Sequence, residues 1–367
     1  MRVIDALKLK TEEVVEEALR VISEGGLVVF PTDTVYGVGA DPRNPEAVER
    51  IYRAKRRDRT KPIPLLISSP EAVEEVAEGL PWAFRRLADA FWPGGLTIVL
   101  RVREGVLPEV LTAGSGKVGV RMPNHQLALR LIEGCGGMLA ATSANLSGGR
   151  EATRLEEVDE ELLEEVDLAI DGGETGGSVP STVIDLTTSP PRVLREGAIP
   201  SSEIERELEK PLRVLFTCTG NICRSAMAEW MLREKLKEEG LEERVEVDSA
   251  GTMTMFGSEP SQNARKVMEE IGIDISGHRS KQISRSLLRE ADLILAMARH
   301  HKDALRFLVP RPEGKLFLLS EFVGEGERDV EDPFGGSIEE YRKCRDEIGR
   351  YIGLLVGKLK EMLGESR

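Results

Sequence analysis

The sequence predicts two α/β domains joined in one chain, and three observations carry that prediction. At 367 residues the chain exceeds the usual span of a single domain. Apolar runs of strand length alternate with amphipathic runs of helix length throughout. The alternation breaks over a charged, proline-punctuated stretch at residues 199–211 and then restarts cleanly. The expected domains are therefore residues 1–205 and 212–367, each large enough to bury its own core.

Taken in order, Thr11 is placed to cap an amphipathic helix whose Val14, Val15, Ala18, Leu19 and Ile22 share one face, and Gly25-Gly26 stops it. Residues 27–30 read as a buried strand halted by Pro31. A helix is expected over 45–56, with Asn44 as its cap and Pro45 at its first position. Further strands are expected over 96–102, 118–122, 138–141, 168–170, 181–186 and 192–194, with helices between several of them. That pattern predicts an open, twisted, mixed sheet. Ser201 or Ser202 can cap a short charged helix in the junction. In the second half, strands over 213–217, 244–247, 292–297 and 316–319 alternate with helices over 225–239, 262–271, 300–308 and 337–363. Regular alternation of this kind predicts a doubly wound parallel sheet with helices on both faces.

Composition narrows the function classes. Hydrophobic residues make up 40% and charged residues 31%, as in soluble globular proteins. A formal charge of −14 argues against a chain that coats nucleic acid or anionic membrane. Cys135, Cys218, Cys223 and Cys344 are too scattered for a disulfide framework and form no CxxC pair for a metal. With no basic-then-apolar leader and no membrane-length apolar run, the expectation is a cytoplasmic protein with reduced thiols.

The most informative segment is Val214-Leu-Phe-Thr-Cys218-Thr-Gly220-Asn221-Ile222-Cys223-Arg224-Ser225. An apolar strand delivers a nucleophile, a short loop follows, and a helix begins at its end. Such a loop can wrap backbone N–H groups around a phosphate. Gly220 permits close backbone approach, and Asn221 tolerates the left-handed conformation a tight loop needs. Arg224 offers a planar bidentate fork to phosphoryl oxygens. The positive cradle favours Cys218 as a thiolate, and Ser225 can hydrogen-bond that sulfur. Phosphoryl transfer also needs an acid for the departing group, and Asp332, held extended before Pro333, is a candidate on a late loop.

The segment from about residue 212 to 363 resembles the low-molecular-weight protein tyrosine phosphatases, whose loop reads Cys-x4-Cys-Arg-Ser and whose acid sits in an Asp-Pro-Tyr/Phe loop. The strand end Asp248-Ser-Ala-Gly251 agrees as well. The resemblance implies that Cys218 forms a phosphocysteine, Arg224 binds the phosphate, and Asp332 protonates the leaving group and then activates water. Asn221, Ser225 and Gly220 support the loop. Cys223 matches a second cysteine that can trap the oxidised nucleophile as a disulfide. The family includes phosphoarginine phosphatases, which typically carry threonine where this chain has Ile222, so the expected substrate is protein phosphotyrosine, with protein phosphoarginine as the alternative. No cofactor is implied for this half.

In the first half, Phe30-Pro-Thr-Asp-Thr34-Val-Tyr-Gly37 places hydroxyls and a carboxylate after a buried strand, where α/β proteins bind ligands. Lys55, Arg57, Arg59 and Lys61 form a basic helix end suited to a triphosphate. Gly119-Val-Arg121-Met-Pro and Thr142-Ser143-Ala-Asn145-Leu-Ser-Gly148 add a guanidinium, hydroxyls and an amide. Neither a Gly-x4-Gly-Lys-Ser/Thr loop nor a Gly-x-Gly-x-x-Gly motif is present, which disfavours the standard nucleotide loops. These strings, with Trp92-Pro-Gly-Gly-Leu-Thr97, Ser181-Thr-Val-Ile-Asp185 and Leu194-Arg195-Glu-Gly197, resemble the YrdC-like threonylcarbamoyl-adenylate synthases in their short form. The resemblance implies a twisted open sheet around a basic concavity. It also implies carboxylation of L-threonine by bicarbonate and adenylylation by ATP with magnesium, feeding threonylcarbamoylation of tRNA adenosine 37. Thr34 and Arg121 should hold threonine. Arg57, Lys61, Ser143, Ser181 and Arg195 should hold ATP, with Lys55 and Asn145 completing the set. Position 117 is Lys where the family commonly has threonine, and Arg57-Asp58 stands where Arg-Pro is usual. tRNA-modification proteins are expected partners, with direct tRNA binding weak or absent. The rival reading is an RNA-binding module without synthase activity.

Overall fold

The computed structural model describes residues 1–309 and 314–364. The chain divides into two compact units, Met1–Leu208 and Glu209–Arg367.

In the first unit, ten strands form one mixed sheet. They are β1 (Arg2–Asp5), β2 (Val28–Phe30), β3 (Gly37–Ala40), β4 (Leu65–Ile67), β5 (Leu96–Arg101), β6 (Lys117–Arg121), β7 (Met138–Ser143), β8 (Leu168–Asp171), β9 (Thr182–Asp185) and β10 (Arg192–Arg195), in the order β1-β8-β2-β3-β7-β4-β6-β5-β9-β10. Period-two alternation divides the residues between two faces. On one face Val38, Leu65, Ile67, Ile98, Val118, Val120, Ala140 and Ile184 join the helices Pro45–Ala54 and Trp82–Phe91 in the main core. On the other, Phe30, Leu66, Leu139 and Ile170 are covered by the helices Thr11–Ser23 and Gln126–Gly134. Farther along that second face, over β6, β5 and β9, the inward positions become Lys117, Gly119, Arg121, Thr97, Val99, Val183 and Asp185, and these line a cavity.

Three strands escaped the sequence reading. At the end of the sheet, β1 pairs with β8 and is largely exposed, so it carries no buried pattern. β4 has only three residues. β3 is Gly-Val-Gly-Ala, a composition poor in strand formers. Its neighbours demand the small residues: a Cβ on Gly39 would lie 3.0 Å from the Ala140 carbonyl oxygen. Thr11 is not the cap of its helix. Lys10 holds that position without a side-chain bond, and Thr11 is already helical. Ser201 likewise opens its helix, Ser201–Glu209.

The second unit is a four-stranded parallel sheet, β11 (Leu212–Cys218), β12 (Val245–Gly251), β13 (Leu293–Ala296) and β14 (Leu316–Leu318), in the order β12-β11-β13-β14. The helices Arg224–Glu238 and Ile338–Met362 pack together on one face. Leu288 and Leu305, from the helices Arg285–Glu290 and Arg299–Arg306, join Leu215, Ala250 and Ile294 on the other. The sheet is thus doubly wound. Strand order reverses at β11, so Cys218 sits at the carboxyl end of the strand where a doubly wound sheet opens a crevice.

The Asn44 cap expected from sequence is present, its Oδ1 accepting from the backbone N–H groups of Glu46 and Ala47 at 3.0 and 3.2 Å. Asn44→Ala should therefore cost the first unit about 1 kcal/mol, read as a lower denaturant midpoint; an unchanged midpoint would remove the cap from the account.

Candidate active sites

In the second unit, β11 ends at Cys218, 3% exposed, and the helix Arg224–Glu238 starts six residues later. The loop between them turns its carbonyls outward in an unbroken run. The Cys218 oxygen accepts from Thr252 N–H at 2.9 Å, Thr219 from Met253 N–H at 3.0 Å, and Gly220 from the Thr254 hydroxyl at 2.5 Å. The Asn221 oxygen lies 2.7 Å from His278 Nε2, Ile222 accepts from Ser261 N–H at 2.9 Å, and Cys223 from Met227 N–H at 2.9 Å. Carbonyl and N–H of a peptide unit point in opposite directions, so six outward carbonyls leave the intervening N–H groups facing the loop interior. Asn221 N–H points at Cys218 Sγ, 3.3 Å away. Among the described residues no protein acceptor takes the N–H of Gly220, Ile222 or Cys223.

Asn221 takes the left-handed conformation, with φ of 54°. Its side chain fixes that strained residue: Nδ2 donates to Ser225 Oγ at 3.0 Å and Ser249 Oγ at 2.7 Å, and Oδ1 accepts from Lys281 N–H at 2.9 Å. Ser249 in turn donates to Glu229 Oε2 at 2.5 Å. Burial would raise the Glu229 carboxyl, but bonds from His278 and Ser249 and the Arg233 charge outweigh it and hold the pKa below the ordinary value. Ser225 Oγ lies 3.0 Å from Cys218 Sγ.

Arg224 is 3% exposed. Its Nη1 donates to the Val330 carbonyl at 3.0 Å and Nη2 to Asp332 Oδ2 at 2.6 Å, while among the described residues buried Nε has no acceptor. The Asp332 side chain is 45% exposed. Cys218, Asn221, Arg224, Ser225 and Asp332 thus form one cluster, with Ile222 half-buried on the loop. A Cβ on Gly220 would meet only the Ile222 side chain, at 3.5 Å, so the protein itself does not enforce glycine there. Cys223 is engaged elsewhere. Its Sγ donates to Ser261 Oγ and lies against the Tyr341 hydroxyl, both at 3.3 Å, and burial raises its pKa. Both thiols are free.

Sequence reasoning missed Ser249, Glu229, His278 and Thr254. The parallel register Cys218↔Gly251 brings Ser249 and Thr254 beside the loop, and only a correct pairing of β11 with β12 could have found them. Glu229 had a local signal, lying four residues after Ser225 on the same helix face. A single buried histidine such as His278 has none.

In the first unit, a cavity of about 390 Å³ is lined by Thr34, Arg57, Lys117, Arg121, Ser143, Ser181, Asp185 and Arg195 among others. Buried Arg121 donates to Gly94 O and Thr34 Oγ1, both at 2.9 Å, and to Asp33 Oδ1 at 2.5 Å. Arg195 grips the Ser181 carbonyl at 2.8 Å, and Ser181 Oγ lies 2.7 Å from Thr97 Oγ1. Burial and the neighbouring Arg195 charge press Arg57 below its ordinary pKa. Guanidiniums that repel one another around one cavity are an arrangement that an anion relieves.

Three predicted residues do not line the cavity. Lys61 is exposed. Lys55, 2% exposed, points its Nζ at the Ser143 carbonyl, the Asn145 carbonyl at 2.5 Å and Asn145 Oδ1 at 3.3 Å. Burial, then the Arg57 charge, pull its pKa down to about 7, partly opposed by the charges of Asp159 and Glu151. Asn145 accepts from Ser143 Oγ at 2.6 Å and donates to Leu146 O and Gly149 O. Lys55 and Asn145 therefore fold the loop that presents Ser143. Sequence reasoning also left out the Lys117–Asp185 ion pair on the cavity wall, at 3.2 Å. No local signal marks it, because Lys117 of β6 and Asp185 of β9 lie on opposite sides of β5, where they pair with Arg101 and Val99.

The Sua5/YciO/YrdC family model, described as telomere recombination, matches residues 20–197, and the low-molecular-weight phosphotyrosine protein phosphatase model matches residues 213–364. A threonylcarbamoyl-AMP synthase of Pyrococcus abyssi is 48% identical over 185 residues, 50% of this chain and 54% of that relative. A protein-arginine-phosphatase of Geobacillus stearothermophilus is 43% identical over 150 residues, 41% of this chain and 97% of that relative. The crystal structure of P. abyssi Sua5 complexed with L-threonine superposes with a TM-score of 0.53 at 32% identity, covering 80% of this chain and 91% of that one. The chain spans about half the length of the first two curated synthases it matches.

The outward-carbonyl loop generates a direct test at Gly251. A Cβ there would lie 2.5 Å from the Thr219 oxygen and 2.9 Å from Thr254 Cβ. Gly251→Ala should displace the loop and lower kcat/KM for an aryl phosphate by about tenfold or more, a barrier rise of roughly 1.4 kcal/mol. Unaltered turnover would show that the loop tolerates the shift.

Proposed function

Residues 20–197 belong to the Sua5/YciO/YrdC family and residues 213–364 to the low-molecular-weight phosphotyrosine protein phosphatase family, and from that premise we propose that this chain is a bifunctional enzyme. The observation that carries the second activity is the run of outward carbonyls around Cys218, with an Arg224 Nε beside it that has no acceptor among the described residues. Inward N–H groups and the guanidinium stabilise the equatorial oxygens of a phosphoryl group in transfer. Cys218 attacks phosphorus, and Ser225 donates to the sulfur when it later departs. Asp332, now ion-paired to Arg224 at 2.6 Å, is released as the phosphoryl group takes the guanidinium. Released and half-exposed, its carboxylate takes a proton from solvent, gives it to the leaving group and then takes one from the attacking water. Cys223 is the proposed redox partner.

For the leaving group we favour protein phosphotyrosine, because Ile222 gives the loop a branched apolar side chain where phosphoarginine enzymes typically carry threonine. The 43%-identical protein-arginine-phosphatase favours the second reading, protein phosphoarginine. Turnover of phosphotyrosine and phosphoarginine peptides side by side decides between them.

For the first unit the reading is synthesis of L-threonylcarbamoyladenylate from threonine, bicarbonate and ATP, releasing pyrophosphate. The similarity to a Sua5 solved with L-threonine supports the threonine part. Thr34 and Arg121 would bind threonine, and Arg57, Ser143, Ser181 and Arg195 the nucleotide, with Lys61 reaching in from the rim. ATP enters with its magnesium. The cavity carboxylate Asp185 is already paired with Lys117, so triphosphate oxygens are the fitting ligands for that ion. The product would serve tRNA modification through partner proteins, with little direct tRNA contact, in the cytoplasm. Among the described residues no helix is long and apolar enough to cross a membrane.

Arg57→Ala should cut threonine-dependent pyrophosphate release by about tenfold or more, the effect of losing a charge-assisted contact, and leave phosphatase turnover untouched. Wild-type synthase rates in that variant would sink the pocket assignment. Asp332→Asn should slow poor leaving groups far more than good ones; equal slowing would take the acid role away from Asp332.

A further inference from the structure

We propose that His301 is a positioning residue for phosphoryl transfer: its ring holds the Thr219 side chain, and through it the first peptide after the nucleophile. This rests on the phosphatase reading. The loop residues hang from donors on the β12 side, Thr252 to Thr254, and from His278 and Ser261. Thr219 is also gripped from the opposite side of β11. His301 lies on the helix Arg299–Arg306, which follows β13, and its Nε2 is 2.8 Å from Thr219 Oγ1. Thr219 is therefore tied to both neighbours of its strand, by its carbonyl to Met253 and by its hydroxyl to His301.

Three features make this more than packing. His301 is 1% exposed, and its buried Nδ1 has no partner among the described residues. An imidazole buried with one unmet nitrogen is unfavourable where an apolar side chain would fill the space, so its single side-chain bond needs a reason. Second, burial, then the charges of His300 and Arg224, pull its pKa to about 3, partly opposed by Asp329. The ring is neutral at working pH and carries one proton. Third, a proton on Nδ1 would be an unpartnered buried N–H within the field of Arg224. Nε2 therefore carries the proton and donates to Thr219 Oγ1. That fixed direction holds Thr219 in one rotamer, and a fixed Thr219 keeps its carbonyl on Met253 and the adjoining N–H groups aimed inward.

The test uses the full chain and two probes, an aryl phosphate for kcat/KM and orthovanadate for affinity of the cradle. Thr219→Val and His301→Leu should each lower both by about threefold to tenfold, the effect of one lost hydrogen bond. The double variant should lose no more than either single one, and His301→Gln, which keeps a donor, should recover part of the loss. Losses that multiply in the double variant, or vanadate affinity unchanged in Thr219→Val, would overturn the assignment. Should His301→Leu fail to fold, Thr219→Val and His301→Gln decide it alone. A wild-type chain that neither turns over phosphate nor binds vanadate would overturn the phosphatase reading itself, a result distinct from active wild type with indifferent variants.

Discussion

Six consecutive carbonyls held outward around Cys218 are the constraint on which the second unit depends. N–H groups gathered inside a small loop carry like partial charges, so the loop is unfavourable unless something grips its outer side. Leaving a buried carbonyl without its donor costs about 1–3 kcal/mol. With donors arriving from the segment after β12, from His278, from Ser261 and from the first turn of the following helix, flipping a peptide would forfeit a satisfied bond. The donors outweigh the repulsion inside. Parallel register supplies much of this, because Cys218↔Gly251 places Thr252, Met253 and Thr254 alongside residues 218–220. The left-handed Asn221 is the second requirement, secured by Ser225, Ser249 and Lys281 rather than by glycine.

The first unit solves a different problem with the same logic. Its cavity concentrates arginines on a sheet face whose other positions are small or hydroxylated, and each arginine is aimed by a neutral or acidic neighbour. Arg121 is oriented by Gly94, Thr34 and Asp33, and Arg195 by Ser181. Lys55 works behind the wall. Its buried Nζ, facing carbonyl and amide oxygens, ties the end of the helix Pro45–Ala54 to the loop after β7, so the loop that carries Ser143 is set by a residue outside the cavity. Gly119 keeps the floor open between Lys117 and Arg121, since a Cβ there would already touch Thr97 Cγ2 at 3.0 Å.

Much of this was legible in the residues alone. The four parallel strands, the helix after Ser225 and the Asn44 cap followed from period, capping and punctuation, because each depends on neighbours within a few positions. β3 was illegible, because its Gly-Val-Gly-Ala composition is dictated by Phe30 and Ala140 across the sheet and not by local propensity. The same division applies to the sites. Cys218, Asn221, Arg224 and Ser225 lie in one string and could be read together. Ser249, His278 and His301 come from elements 24 or more residues away, and only strand pairing brings them in. Lys55 shows the converse: a cation in a basic string reads as a ligand, and burial turned it into a support.

On this reading the loop interior is an oxyanion cradle built before any anion arrives. A crystal structure of the full chain with tungstate tests it most directly. The anion should sit beside Cys218, its oxygens on the N–H groups of the loop and on Arg224, with the six carbonyls still outward and Asp332 detached from Arg224. Tungstate bound elsewhere, or a loop whose peptides must flip to receive it, would show that the cradle is not preformed.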